Sequence, residues 1–276
     1  MAYPVVSAPY GLKPINLIGG QVFAGSTREY AIANGYATSI FYGDCVALVR
    51  GNLERISVST GAAGTLAGIF LGCSYTNPVT KQKQFAQYWP AGTAAGDAVA
   101  IVCDDPDTVF KAVVCSAGTT VASGARAMIG QNLAMINNAG LTSTGNSRNA
   151  ILAPDDTPAT TAALPLRVLG LVAETAVDLG TATYTSISTA TVTCSALPFA
   201  LPVGTDVGSL DSNGNYIPSG SFVDTAAAAG ATTFVLNQAP SAAFAASATL
   251  VFNQFPELLV KLNFGQHEYY AATATA

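Results

Sequence analysis

Residues 98–115, AVAIVCDDPDTVFKAVVC, contain the pattern that decides the fold class. Two short apolar runs, 98–103 and 109–114, are separated by Asp104-Asp105-Pro106-Asp107. Short β-branched runs bounded by Pro and Asp are typical of strands joined by a turn. Similar runs recur at residues 45–49, 67–71 and 168–172. The sequence therefore predicts a mainly all-β protein, with a β-barrel or β-sandwich core domain.

Helix signals are scarce in the remaining sequence. Residues 258–264 alternate between apolar and polar side chains, which predicts a half-buried strand. Only residues 121–136 suggest a helix, a short one, with one apolar side formed by Ala125, Met128, Ile129 and Leu133.

The composition is unusually poor in the side chains that carry out chemistry. Only 10% of the 276 residues are charged, whereas 50% are hydrophobic, and the chain has one histidine. An average domain is about 25% charged. The sequence also lacks GxSxG, P-loop and HExxH motifs. We therefore expect a structural protein, not an enzyme, with no cofactor and no bound metal.

The charge balance bears on the class of partner. The net charge is −5, and the eleven Lys and Arg residues are scattered. Nucleic-acid binding requires clustered basic residues, so we expect no nucleic-acid partner. No apolar run approaches the roughly 20 residues of a membrane-spanning helix, and the N-terminus does not resemble a signal peptide. We therefore expect no membrane partner, and synthesis in a cytoplasm.

The five cysteines form no recognisable ligand or redox motif. They are Cys45, Cys73, Cys103, Cys115 and Cys194. Their number is odd, no CxxC pair is present, and four of the five lie in strand-like runs. This pattern favours reduced, buried thiols. A disulfide between two of them remains an open alternative.

Two other groups of residues are candidate sites. Asp104, Asp105 and Asp107 form a carboxylate cluster that suits either a calcium ion or an ordinary turn, and the turn is favoured. His267 has one adjacent glutamate and cannot form a metal site alone. We interpret the aromatic segments as interface candidates: Tyr88, Trp89, His267, Tyr269 and Tyr270. For the tryptophan, core filling is the commoner case.

The first thirty residues differ from the rest of the chain. Three prolines and the Gly19-Gly20 pair predict an extended N-terminal arm over residues 1–30. We expect this arm to lie along a neighbouring chain through six anchors: Leu12, Pro14, Ile15, Leu17, Ile18 and Phe23. The alternative is an N-terminal strand of the same domain.

A change of composition indicates an inserted domain. Residues 179–254 are rich in Thr, Ser and Ala, and their short runs predict a small β-sandwich-like domain. The flanking runs at 166–172 and 258–264 look like neighbouring strands of one sheet. The core domain is then discontinuous, comprising residues 31–178 and 255–276. Two domains in tandem are the alternative.

Several segments resemble a known group of virion proteins. YGLKPI at 10–15 and REYAIANGYATSIFYGD at 28–44 fit a GxxP arm followed by YxIAxGYAxxIxxGD. The likeness continues in GIFLGCSY, QYWP and LRVLGL, at 68–75, 87–90 and 166–171. These stretches resemble the head decoration, or capsid cement, proteins of tailed bacteriophages. The inserted region resembles β modules found on many virion proteins, through residues 203–207, 217–221 and 232–236.

The resemblance implies a specific role. Such proteins are β-rich, commonly form homotrimers, and bind the outer surface of the icosahedral head, where they clamp neighbouring major capsid proteins. It implies a location on the virion after synthesis in the host bacterial cytoplasm. Two alternatives remain: a tail or fibre protein with a host-binding β module, and the major shell protein, which would need a long helix.

Overall fold

The structure is a computed structural model that confirms the all-β prediction. It describes residues 6–56, 66–153, 164–241, 243–263, 265, 267 and 269. The first fifteen strands are β1 Lys13–Leu17, β2 Arg28–Ala31, β3 Ile40–Phe41, β4 Cys45–Val49, β5 Asn52–Arg55, β6 Gly68–Thr76, β7 Lys83–Ala86, β8 Tyr88–Trp89, β9 Val99–Cys103, β10 Thr108–Ala117, β11 Thr120–Val121, β12 Asn132–Leu133, β13 Met135–Ile136, β14 Ala150–Leu152 and β15 Leu166–Leu171. The last seven are β16 Val177–Ser188, β17 Thr191–Cys194, β18 Asp206–Leu210, β19 Tyr216–Thr225, β20 Thr233–Leu236, β21 Thr249–Gln254 and β22 Glu257–Leu262.

The named helical elements are two 3-10 turns, Arg126–Met128 and Ala173–Thr175, and Gly265 also has 3-10 geometry. The short helix expected within residues 121–136 is present only as the single 3-10 turn Arg126–Met128. The chain leaves the first turn in an extended conformation at Ile129, and Gly130 then takes a φ of 84°. Backbone pairing of β12 with β15 takes the place of further helical turns.

The first sheet builds the N-terminal half of the core domain. Its antiparallel strands run in the order β2-β9-β6-β4-β5, and β7 adds to the far end of β6. The edge strands β2 and β5 approach each other, so the sheet curls around an apolar core. The largest side chains of that core include Ile40, Leu53, Phe70 and Trp89.

The second sheet has the order β12-β15-β22-β10-β14-β13, with β1 and β11 also paired to β10. Its strands are antiparallel except for the parallel pair β10 and β14. Phe110 lies opposite Val260, and Val168 lies opposite Val260 on the other side. These three side chains are buried in one core cluster, which shows that the alternation in β22 gives the sheet a buried face.

The region between β15 and β22 forms a closed six-stranded barrel rather than a sandwich. Its strands run β16-β17-β20-β19-β18-β21, and β21 pairs back with β16. The interior is filled by apolar side chains, among them Val192, Val207, Phe234, Leu250 and Phe252. Because β15 and β22 pair with each other, the chain leaves the second sheet, builds the barrel and returns to the adjacent strand.

Several contacts join the barrel to the second sheet. Phe222, on barrel strand β19, is buried in the core cluster of that sheet and not in the barrel interior. Asp206 on β18 accepts hydrogen bonds from the Arg126 backbone N–H at 3.2 Å and the Tyr216 hydroxyl at 2.6 Å. The barrel is therefore packed into the core domain and does not stand apart from it.

Candidate functional site: exposed contact surfaces

The N-terminal arm pairs with its own chain. β1 is antiparallel to β10, with Pro14 opposite Phe110, and Leu12 is completely buried in the core cluster of the second sheet. The prediction that Leu12 contacts a capsid neighbour is therefore wrong. The physical reason is that the edge of β10 lets this apolar segment bury itself within its own fold.

The rest of the arm forms a tight turn beside the sheet. Leu17 N–H donates to the Gln21 carbonyl at 2.8 Å, and Phe23 packs partly buried against the same core. Ile15 and Ile18 remain exposed, and Val22 is 78% exposed. The surface formed by Ile15, Ile18 and Val22 is the arm patch, the part of the predicted arm that remains available to a partner.

The predicted aromatic interface is mostly internal. Trp89 is completely buried, its indole N–H donates to the Tyr36 carbonyl at 3.3 Å, and its ring meets Tyr75 edge-on at 5.3 Å. The interface assignment of Trp89 is therefore wrong, because the curled first sheet closes over it. Tyr88 is partly buried and stacks on Phe41, with ring centroids 5.3 Å apart.

The lone histidine is also internal. His267 is completely buried, forms a parallel bridge with Leu66, and lies with its ring 4.9 Å from that of Tyr269. Burial lowers its pKa, while hydrogen bonding and charge at Asp104 act in the opposite direction. The assignment of His267 to an exposed interface is wrong, because its bridge with Leu66 holds it in the interior of the fold. Tyr270 lies outside the described residues.

Tyr269 is exposed but is already bonded within the chain. Its hydroxyl donates to the buried carboxylate of Asp104, and the Arg28 guanidinium lies 5.4 Å from its ring centroid. Asp104 also pairs with Arg28 at 3.1 Å and accepts from the Tyr30 hydroxyl at 2.9 Å. These bonds fasten the end of the described chain to the edge of the first sheet.

The carboxylates at 104–107 do not converge on one point. Asp105 accepts from the Asp107 backbone N–H at 2.9 Å, as in an ordinary turn, and Asp107 lies 3.9 Å from Lys261. Asp104 has the partners given above. Within the described ranges, no group of three or more His, Cys, Asp or Glu side chains is placed to hold a metal ion.

A buried carboxylate that the sequence did not identify lies at Asp44. It pairs with Arg55 at 2.8 Å and accepts from Ser147 at 2.6 Å, Asn149 at 3.0 Å and the Phe41 backbone N–H at 2.9 Å. Burial raises its pKa, and the Arg55 charge opposes that shift. The network joins the polar loop before β14 to the turn before β4, so its role is to hold the fold.

The five cysteines are buried and free. Burial raises the pKa of Cys73 to about 12, and those of Cys103 and Cys115 to about 11. A thiol with so high a pKa is almost entirely protonated at neutral pH and is a poor nucleophile.

The two most exposed large apolar side chains lie in the turn after β6 and in β7. Residues 77–86, here called the hairpin tip, connect β6 to β7 and end with β7. Val79 is 86% exposed and Phe85 is 82% exposed. A sequence signal for the exposure of Phe85 is the segment KQKQFA at 81–86. In a strand, alternate residues share a face, so Phe85 lies on the same face as the charged Lys83.

A shallow groove lies on the second sheet. It has a volume of about 440 Å³ and is bordered by β1, β10, β22 and the 3-10 turn after β15. Its lining is mostly apolar, with one lysine and one glutamate: Ile15, Lys111, Leu171, Val172, Ala173, Glu174, Thr175 and Leu259. We refer to it as the sheet groove.

Comparisons of the chain with protein-family models, curated proteins and solved structures gave no match. No helix in the described part of the chain has the length and apolarity needed to cross a membrane.

Proposed function

We propose that this protein is a structural component of a tailed-bacteriophage virion that binds the outer surface of the head as a trimer. In this role it contacts neighbouring major capsid proteins and stabilises the DNA-filled shell. It acts through binding alone, as a non-enzymatic protein without a cofactor, nucleic-acid partner or membrane partner.

The observation that carries the proposal is the exposure of large apolar side chains in the arm patch and the hairpin tip. Val22 in the arm patch, and Val79 and Phe85 in the hairpin tip, are each more than three quarters exposed. Burying one such side chain contributes about 1.5–3 kcal/mol. Clusters of this kind mark surfaces that are covered in an assembly, and repetition around a symmetric shell multiplies a modest energy per site.

The residues that carry the sequence resemblance support the proposal at the level of the fold. Tyr36, Ile40 and Asp44 of the second motif are all part of the first sheet's packing or hydrogen bonding. The tail or fibre alternative predicts exposed aromatic side chains on the inserted module. Every aromatic side chain of the described barrel residues is at least partly buried, so no specific observation favours that alternative.

Reconstitution on phage heads tests the proposal. Heads are purified from a phage mutant that lacks this protein, incubated with the purified chain, sedimented and imaged by cryo-electron microscopy. We expect saturable binding and density at symmetric positions on the outer shell. Density confined to the tail, or no binding to expanded heads, would overturn the proposal.

A further inference from the structure

We propose that the protein associates with itself through a hairpin-in-groove contact, in which the hairpin tip of one copy occupies the sheet groove of the next. This inference rests on the oligomeric part of the proposed function. It assigns the two surfaces of the contact and the residues that carry it.

The hairpin tip is held rigid before any partner binds. The Asn77 side-chain oxygen accepts from the backbone N–H groups of Val79 at 2.8 Å and Thr80 at 3.1 Å. The Asn77 amide also donates to Gln84 at 3.2 Å, across the turn. A preformed tip loses little conformational entropy on binding. Val79 and Phe85 are thus presented on a fixed scaffold.

The hairpin tip carries one uncompensated positive charge. Lys83 pairs with Asp97 at 3.1 Å, and Asp97 also accepts from Thr76 at 2.7 Å. Lys81 makes no ion pair with any described residue. The surface that binds the hairpin tip should therefore combine an apolar floor with one available carboxylate.

The sheet groove has these two properties. Its floor is formed by Ile15, Leu171 and Leu259. The charge of Lys111 is directed to Glu257, 3.5 Å away, whereas Glu174 forms no ion pair within the described ranges. The groove thus presents an apolar floor with one available carboxylate, at Glu174.

An apolar lining together with an available carboxylate selects this groove over three other grooves of the described residues. A volume of about 440 Å³ accommodates a phenyl ring together with a valine side chain. The groove beside Val6 and Val177 has a volume of only about 180 Å³ and contains no carboxylate. The groove beside Arg55 offers Lys81 no carboxylate, because none lines it and Arg55 is already paired with Asp44. The groove at the barrel end is larger, about 510 Å³, but its lining is mostly Ser, Ala and Gly, and its Asp211 already accepts from Asn213 and Asn215.

The contact uses a different patch on each partner. Such a heterologous contact generates a ring where the repeated rotation closes, and an open filament where it does not. The trimer of the proposed function would be such a ring, in which every copy contributes one tip and one groove.

Charge reversal across the contact tests the inference. The variants are Phe85→Ala, Lys81→Glu, Glu174→Lys and the double variant K81E/E174K, studied by sedimentation equilibrium. We expect Phe85→Ala to raise the dissociation constant at least about 30-fold, as for an interface hot spot. Each single reversal should raise it about 10-fold, and the double variant should return it to within about three-fold of wild type.

Matched controls separate this contact from general effects. Ile217→Ala removes an exposed apolar side chain from the barrel and should leave the dissociation constant unchanged. Since Phe85 and the two charges are exposed, each variant should keep the wild-type urea midpoint. The inference is overturned if Phe85→Ala leaves the dissociation constant of the oligomer unchanged. It is also overturned if the double variant K81E/E174K binds no more tightly than the single variants. A monomeric wild type overturns both the inference and the trimer, while head binding is measured separately and tests decoration itself.

Discussion

At the scale of single residues, the burial of Leu12 shows whether the N-terminal arm packs on its own chain or on a neighbouring chain. Its side chain is completely buried among residues of its own chain. We predict that Leu12→Ala lowers the free energy of unfolding of the isolated protein by about 2–5 kcal/mol, because it leaves a cavity. Urea denaturation of the purified chain measures this loss.

Ile15→Ala is the matched control for Leu12. Ile15 lies three residues further along the chain, in β1, and is exposed, so its truncation should change the free energy of unfolding far less. Equal stabilities of the Leu12 variant and the wild type would mean that the arm is not packed in solution.

The burial of His267 predicts that the stability of the folded protein depends on pH. Burial lowers its pKa in the folded protein below the value of about 6.5 found in unfolded chains. As the pH falls through 6.5, the unfolded chain therefore takes up a proton first, and the folded state loses stability. We expect the melting temperature to fall between pH 7 and about pH 5.5.

His267→Gln supplies the comparison for this pH effect. The chain has no other histidine, so the variant should lose the part of the pH dependence that belongs to this interval. Parallel curves for the two proteins would show that the imidazole is not buried in the folded state.

At the scale of elements, the close approach of β6 and β9 depends on Gly68. A Cβ atom at this position would lie 2.2 Å from the Cys103 carbonyl oxygen, which belongs to the backbone of β9 and cannot rotate away. We predict that Gly68→Ala destabilises the protein by about 1–3 kcal/mol through overpacking. Chemical denaturation followed by tryptophan fluorescence reports on this sheet, because Trp89 is in its core.

Gly96→Ala serves as the control for Gly68. A Cβ atom at Gly96 meets nothing within 4 Å, so the substitution should be neutral, or slightly stabilising through the unfolded state. If both alanine variants were equally stable, β6 and β9 would be further apart than the structure shows.

The strands and the 3-10 turn also show which elements can be predicted from local sequence patterns. β9, β10 and β22 were predicted from their β-branched runs and alternation, because a strand's two-residue period is written in its own sequence. The short helix near Met128 was predicted from the same kind of local pattern and is reduced to one 3-10 turn. There, pairing between β12 and β15, which are more than thirty residues apart, determines the backbone.

At the scale of the whole molecule, Phe222 couples the barrel to the second sheet. It is a barrel residue whose ring is buried in the other core. We predict one cooperative thermal transition for the wild type. Phe222→Ala should lower the free energy of unfolding by about 3–5 kcal/mol and separate the transition into two, as measured by scanning calorimetry.

Phe234→Ala is the control at this scale. Phe234 is buried in the barrel interior, so its loss should weaken the barrel while leaving the junction intact. A Phe222 variant with an unchanged single transition would show that the two lobes are coupled by other contacts.

The sequence by itself determined the strands and the all-β class, because these depend on local periodicity and composition. It also indicated that residues 166–172 and 258–264 are neighbouring strands of one sheet. Only the tertiary structure decided which apolar side chains are covered. Leu12, Trp89 and His267 are buried, and Phe85 is exposed. The physical reason is that burial depends on neighbours distant in sequence, so equally apolar residues become either core or contact surface according to how the sheets close.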